Sequence, residues 1–178
     1  MWEEKEHPRD KQGRFTKKDF ADMSADELKA YILSSNDVSG AISGARNPDS
    51  NEAKEHAKKY YGLVRSMKSD VSKIAKITGL SINQIQEVKN FIFYEKHDLG
   101  GKELEHFEPD FMMAESWRRL IAGIPETHDL TLIYHEIMER QLIQKGFTQD
   151  EAHKITSKKY NYGKEATEYY DKIKKYSK

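Results

Sequence analysis

Apolar positions recur at three- and four-residue steps over most of the chain, which is the period of helices with one buried face. Ala57, Tyr60, Tyr61, Val64, Met67, Val71, Ile74 and Ala75 mark a helix from about Asn51 to Thr78, with Gly62 and Ser69-Asp70 as possible breaks and Gly79 as terminator. Ser81-Ile82-Asn83-Gln84 is a capping box. The helix it opens turns Ile82, Ile85, Val88 and Ile92 inward, with Phe91 flanking them.

The period is lost over 94–108, where Gly100-Gly101 predicts either a short β-hairpin near 94–107 or an irregular loop. Pro109 is suited to the first turn of the next helix, which carries Phe111, Met113, Trp117, Leu120 and Ile121 and stops near Gly123. Asp129 caps a further helix with Leu130, Ile133, Tyr134, Ile137 and Met138 on one stripe, ending at Gly146. Thr148-Gln149-Asp150-Glu151 is another capping box, opening a helix to about Lys159. Asn161-Tyr162-Gly163 reads as a turn before a last helix over 164–175.

The N-terminal part is different. Residues 1–20 have no sustained period and read as an arm or linker. Residues 21–50 read as an appendage: a short helix after the capping box Ser24-Ala25-Asp26-Glu27, then a Ser/Gly/Asn-rich loop. The main domain is therefore 51–178, and the expected fold is all-α, a compact multi-helix array with a flexible N-terminal arm.

Composition removes several kinds of chemistry. The 178 residues contain no cysteine, so disulfides, thiolate metal sites and a cysteine nucleophile are excluded. No run of 18 apolar residues exists, so no membrane partner is expected. No GxSxG elbow and no phosphate-binding glycine motif is present. The zero net charge conceals an asymmetry. Residues 81–153 carry seven basic and fourteen acidic groups (7 − 14 = −7), and residues 154–178 carry eight and three (8 − 3 = +5). An acidic centre with a basic tail suits a contact between tail and core, a basic partner or a bound cation better than a general DNA-binding face.

The leading candidate chemistry is Tyr134-His135-Glu136-Ile137-Met138-Glu139-Arg140. A spacing of four puts His135 and Glu139 on one helix face, beside the apolar stripe. Such a pair holds a divalent metal or orients a histidine base, although a second histidine at position 139 would be needed for the zinc-peptidase motif. His97, beside Asp98, opens the Gly-Gly loop, and His153 lies in the first turn of its helix, where the positive helix end keeps imidazole neutral. These groups make two schemes: a metal site from His135, Glu139 and His153, or a metal-free acid–base pair with Arg118 as anion stabiliser. His128 has a bland expectation, solvating a helix start. The tail interleaves lysine with Tyr160, Tyr162, Tyr169, Tyr170 and Tyr176, a pattern that also suits single-stranded RNA.

Several segments carry a resemblance: the arm EHPRDKQGRFTKK, then VSKIAKITGLSINQIQEVKNFIFYEKHDLGG, FEPDFMMAESWRRLIAG, HDLTLIYHEIMER and DEAHKITSKKYNYGKEA. Together they resemble the C-terminal module of phage minor head proteins of the Mu F-like type, also found near polymorphic toxins of Gram-positive bacteria. The resemblance highlights His97, Asp98, Trp117, Arg118, His135, Glu136, Glu139 and His153 and assigns none of them a role. It implies a phage- or prophage-linked setting, with the chain made in the bacterial cytoplasm and then virion-associated or delivered. A phage head or effector-carrier protein, a nucleic acid substrate and an immunity protein are the partners it suggests. The expected function is a toxin-like hydrolase, a nuclease first, using His/Glu chemistry. The alternative is a non-catalytic helical module that docks on a phage head or another partner.

Overall fold

The computed structural model describes residues 47–175, so the arm 1–20, nearly all of the 21–50 appendage and residues 176–178 lie outside it. Ser50 opens helix α1 (Asn51–Ser66), its side-chain oxygen accepting the Ala53 N–H at 3.1 Å. Ala53, Ala57, Tyr60, Tyr61 and Val64 form its buried stripe. Of the two possible breaks, Ser69-Asp70 is the one used, so the stretch to Thr78 is two helices, and Gly62 lies within the first. Met67 is extended (φ −68°, ψ 137°), and α2 (Asp70–Thr78) starts afresh. A buried polar knot explains the break. The Met67 carbonyl, freed from helical bonding, accepts from Lys89 Nζ at 2.8 Å, and Lys89 also pairs with Asp70 at 2.9 Å. Gly79 ends α2 with φ 71°, where a side chain would be strained.

The Ser81–Gln84 capping box forms as expected and opens α3 (Ile82–Phe93). Ile82 does not face inward. As the first helical residue it precedes the buried stripe and is 59% exposed. Between the two readings of 94–108, a hairpin forms. Strands β1 (Lys96–His97) and β2 (Glu105–His106) pair antiparallel, with Lys96 opposite His106 and His97 opposite Glu105. Helix α4 (Phe111–Ala122) is capped by Asp110, whose carboxylate accepts the Met113 N–H at 2.8 Å. Pro109 therefore lies before the cap and not in the first turn.

Helix α5 (Thr127–Gln144) begins earlier than expected. Asp129 is inside its first turn and accepts the Glu126 N–H at 2.7 Å, so it closes the end from within. The Thr148–Glu151 box opens α6 (Gln149–Lys159). Helix α7 (Tyr162–Lys175) follows, with Tyr162 helical rather than in the expected turn.

The architecture is all-α: seven helices and one two-stranded hairpin among the described residues. Helix α5 is the axis, packing against α3, α4, α6 and α7. The main core joins Tyr60, Tyr61, Ile74, Ile85, Phe93, Trp117, Leu120 and Ile133. Burying each large aliphatic or phenyl side chain there contributes about 1.5–3 kcal/mol. Two smaller clusters seat α7, through Tyr170 on α1 and through Tyr162 beside Leu132 of α5. No helix among the described residues is long and apolar enough to cross a membrane.

Candidate metal centre

The α5–α6 corner gathers three ligand-type side chains. His135 and Glu139 are one turn apart on α5, and His153 comes from the first turns of α6. Glu139 Oε2 lies 2.9 Å from His135 Nε2 and 2.9 Å from His153 Nδ1, and the two nitrogens are 3.3 Å apart. His135 and Glu139 are buried, while His153 is exposed.

Local sequence produces this corner. Gly146 takes φ 96°, which ends α5 and lets the chain reverse. The Thr148–Glu151 box then fixes the start of α6, so that Ala152 is buried against α5 and His153 projects beside Glu139.

Hydrogen bonding selects the tautomer. His135 Nδ1 is 2.7 Å from the Tyr160 carbonyl oxygen, which can only accept, so Nδ1 carries a proton. In its neutral form His135 then presents a bare lone pair at Nε2; in its imidazolium form Nε2–H donates to Glu139 Oε2. Glu139 Oε2 is also an acceptor. Glu139 Oε2 is within hydrogen-bond distance of both nitrogens, and the N···N edge is then a contact rather than a third hydrogen bond. A single cation in the middle would engage all three groups in place of those hydrogen bonds. Ligand atoms around a tetrahedral zinc at about 2.0–2.1 Å stand roughly 3.3 Å apart, which matches the N···N edge and exceeds the two N···O edges of 2.9 Å. The donor set, two imidazoles and a carboxylate, is one that catalytic zinc uses while keeping a position open.

The supporting contacts are those expected around a metal ligand. Gln149 Nε2 donates to the remaining Glu139 oxygen, Oε1. Ser157 Oγ is 3.5 Å from His153 Nε2. Burial alone pushes the His135 imidazole down; the Glu139 hydrogen bond, the Glu136 field and the Tyr160 carbonyl outweigh it and hold the group above its ordinary value.

The triangle opens on a cavity of about 850 Å³, also lined by Asp98, Glu136 and Asp150. Glu136 is 6% exposed and makes no hydrogen bond to any described residue. Burial raises its carboxyl to about 8, against the attraction of His135 and with the repulsion of Glu139.

Two expected site residues are elsewhere. His97 is buried in an aromatic clamp, stacked on Phe107 at 3.9 Å and edge-on to Phe91 at 4.5 Å. Its Nε2 donates to the Phe91 carbonyl at 2.8 Å, and burial lowers its pKa. It anchors the hairpin and does not join the triangle. Arg118 binds Glu115 at 3.1 Å, and Glu115 in turn meets His56 of α1 at 3.0 Å. None of these three residues lines the cavity. Asp98 does line the cavity, and its carboxylate accepts the Gly100 N–H at 3.0 Å, forming the loop turn.

His128 does not solvate a helix start. It is buried with Arg119 and Asp129 in an ionic core. Of the tail tyrosines, two are withdrawn from any stacking face, while Tyr160 and Tyr169 are partly exposed and Tyr176 lies outside the described residues. Tyr162 and Tyr170 are buried, with hydroxyls 3.1 Å from Ser116 Oγ and 3.4 Å from Arg119 Nη1. Sequence reading did not single out Gln149 or the Tyr160 carbonyl as supports. Gln149 sat unremarked inside the capping box whose other members fold α6. The Tyr160 carbonyl has no sequence signal, since any residue supplies one.

No protein family, curated protein or solved structure matches this chain.

Proposed function

We propose that the chain is a metal-dependent hydrolase, with His135, Glu139 and His153 holding a divalent ion and Glu136 acting as general base. The observation carrying this reading is the triangle of two nitrogens and one oxygen, with edges of 2.9, 2.9 and 3.3 Å, on the wall of a cavity. An ion in such a set polarises water and a substrate oxygen. The order of groups supports a hydrolytic role by analogy with H-E-x-x-H sites. There, a glutamate directly after the first ligand is the base. Here Glu139 stands where the second histidine would be, and His153 restores that imidazole from the next helix. Glu136 keeps the position of the base.

The test is a cobalt(II) and zinc(II) titration of the full chain, followed by hydrolysis assays. One ion per chain is expected, with the visible absorption of low-symmetry cobalt. His135→Ala, Glu139→Ala and His153→Ala should each abolish it. Glu136→Gln should keep the ion yet lose activity by about 10²–10⁴-fold, the usual contribution of general base catalysis. Absence of binding at micromolar ion overturns the proposal. Full activity in Glu136→Gln overturns the assignment of the base. In the effector setting, wild-type expression is expected to slow bacterial growth and Glu136→Gln to relieve it.

A further inference from the structure

The basic end of the chain begins at Lys154, one position after the proposed ligand His153. Helix α6 therefore carries two neighbouring rows. His153 and Ser157, four apart, form one, with Ser157 Oγ 3.5 Å from His153 Nε2. Lys154 and Lys158, each one residue further on, form the other. The surface follows the same offset. The cavity beside the triangle shares Ser157 and Asn161 with a second pocket of about 570 Å³, and Lys154, Lys158 and Lys164 line that pocket. A lysine pocket thus adjoins the candidate metal centre across the ridge that Ser157 and Asn161 make.

These ammonium groups are open to an anion. Lys158 is exposed and makes no ion pair or hydrogen bond with any described residue. Lys164 meets Glu168 only at 4.0 Å, and Lys154 meets Asp150 at 2.5 Å, with all four side chains largely exposed. Exposed pairs of that kind are worth little and exchange readily for another anion. The pocket's other carboxylate, Glu165, accepts from the Thr131 hydroxyl at 2.7 Å. The larger cavity has carboxylates of its own, of which Asp98 and Asp110 accept the Gly100 and Met113 N–H groups. An anionic substrate is therefore held at two places, the ion and the lysines, and needs a charged group for each. A polynucleotide has a phosphate on every unit, and lysine holds such a backbone without reading its sequence. A polypeptide has charge only where a side chain supplies it.

We infer that the substrate is a polynucleotide strand, with the phosphodiester to be cut at the His135–Glu139–His153 corner and a neighbouring phosphate in the pocket of Lys154, Lys158 and Lys164. This rests on the hydrolase reading above. The step balances with water alone. Glu136 takes one proton from the attacking water, whose oxygen bonds to phosphorus. The bond from phosphorus to one sugar oxygen breaks with its electron pair on that oxygen, which receives the proton from Glu136. The products are one strand end with a phosphate monoester and one with a free hydroxyl.

The test uses the full chain loaded with zinc(II). Its substrates are labelled single-stranded DNA and RNA, bis(4-nitrophenyl) phosphate and quenched-fluorescent acidic peptides. Both oligonucleotides should be cut, because water and not a sugar hydroxyl is the nucleophile; cutting of RNA alone overturns the step. Lys158→Gln/Lys164→Gln should still bind zinc. Its kcat/KM for the oligonucleotides should fall at least tenfold further than for the small diester, which has no neighbouring phosphate. The slope of log Kd against log salt for oligonucleotide binding should flatten by about 0.7, the worth of one phosphate contact on a single strand. Equal losses on the two kinds of phosphate substrate overturn the inference, as does a zinc-loaded protein that cuts no oligonucleotide. Peptide cleavage that Glu136→Gln abolishes, with the oligonucleotides intact, overturns it while leaving the metal-dependent hydrolase standing. Failure to bind zinc removes that hydrolase reading and this inference with it.

Discussion

His153 Nδ1 lies 2.9 Å from Glu139 Oε2, although fourteen positions and a helix reversal separate the two residues. The contact converts an ordinary i, i+4 pair on α5 into a three-sided cluster of two imidazoles and a carboxylate.

Gln149 is expected to tune that set without belonging to it. Its amide donates to Glu139 Oε1 and so orients the carboxylate. Gln149→Ala should weaken ion binding by about 10–100-fold, the usual effect of removing a supporting contact. Chelator competition on the cobalt(II) form measures this. An unchanged affinity would show that the carboxylate needs no such support.

The knot that splits α1 from α2 should dominate stability. Asp70 and Lys89 are 1% and 3% exposed, and Asp70 also accepts from Trp117 Nε1 at 3.1 Å. Lys89→Met leaves a buried carboxylate without its cation and should cost about 3–5 kcal/mol. Asp70→Asn/Lys89→Met should be less destabilised than Lys89→Met alone, because the orphaned charge is gone. Urea denaturation of the three variants checks the order.

Arg119 holds Asp129 with two hydrogen bonds of 2.7 Å, through Nε and Nη2. Lysine is a point donor and cannot reproduce that fork. Arg119→Lys should therefore lose about 1.5–3 kcal/mol, the worth of one charged hydrogen bond. A variant as stable as wild type would show that charge alone suffices at this position.

His128 should make the fold acid-sensitive. Arg119 Nη2 is 2.9 Å from His128 Nε2 and can only donate to it, while Asp129 Oδ1 lies 3.2 Å from the same nitrogen. Burial lowers the imidazole pKa; Asp129 opposes that shift and Arg119 adds to it. The unfolded chain protonates at about pH 6.5. Below that value it binds more protons than the folded chain, so stability is full above pH 6.5 and falls as pH drops toward the lowered folded value. The metal-free protein should lose more stability between pH 7.5 and 5.5 than His128→Gln, which keeps an acceptor and cannot titrate. Parallel urea midpoints in the two proteins would sink this assignment.

Much of the helical framework could be read along the chain. The Ser81 and Thr148 boxes formed where expected, because each is a local exchange of hydrogen bonds within four residues. His135 and Glu139 were recognisable as neighbours for the same reason: a helix places residues four apart on one face. What the sequence alone could not decide was which distant groups would join them. His153 reaches Glu139 because a tight reversal at Gly146 lays α6 on α5. His97 is drawn into the Phe91–Phe107 clamp, and Arg118 into the Glu115–His56 network. Those outcomes depend on packing between helices far apart in sequence, where a buried polar group takes whichever partner the fold brings within bonding distance. Periodicity and caps determined the helices; only tertiary packing determined that two imidazoles and a carboxylate would share one cavity wall.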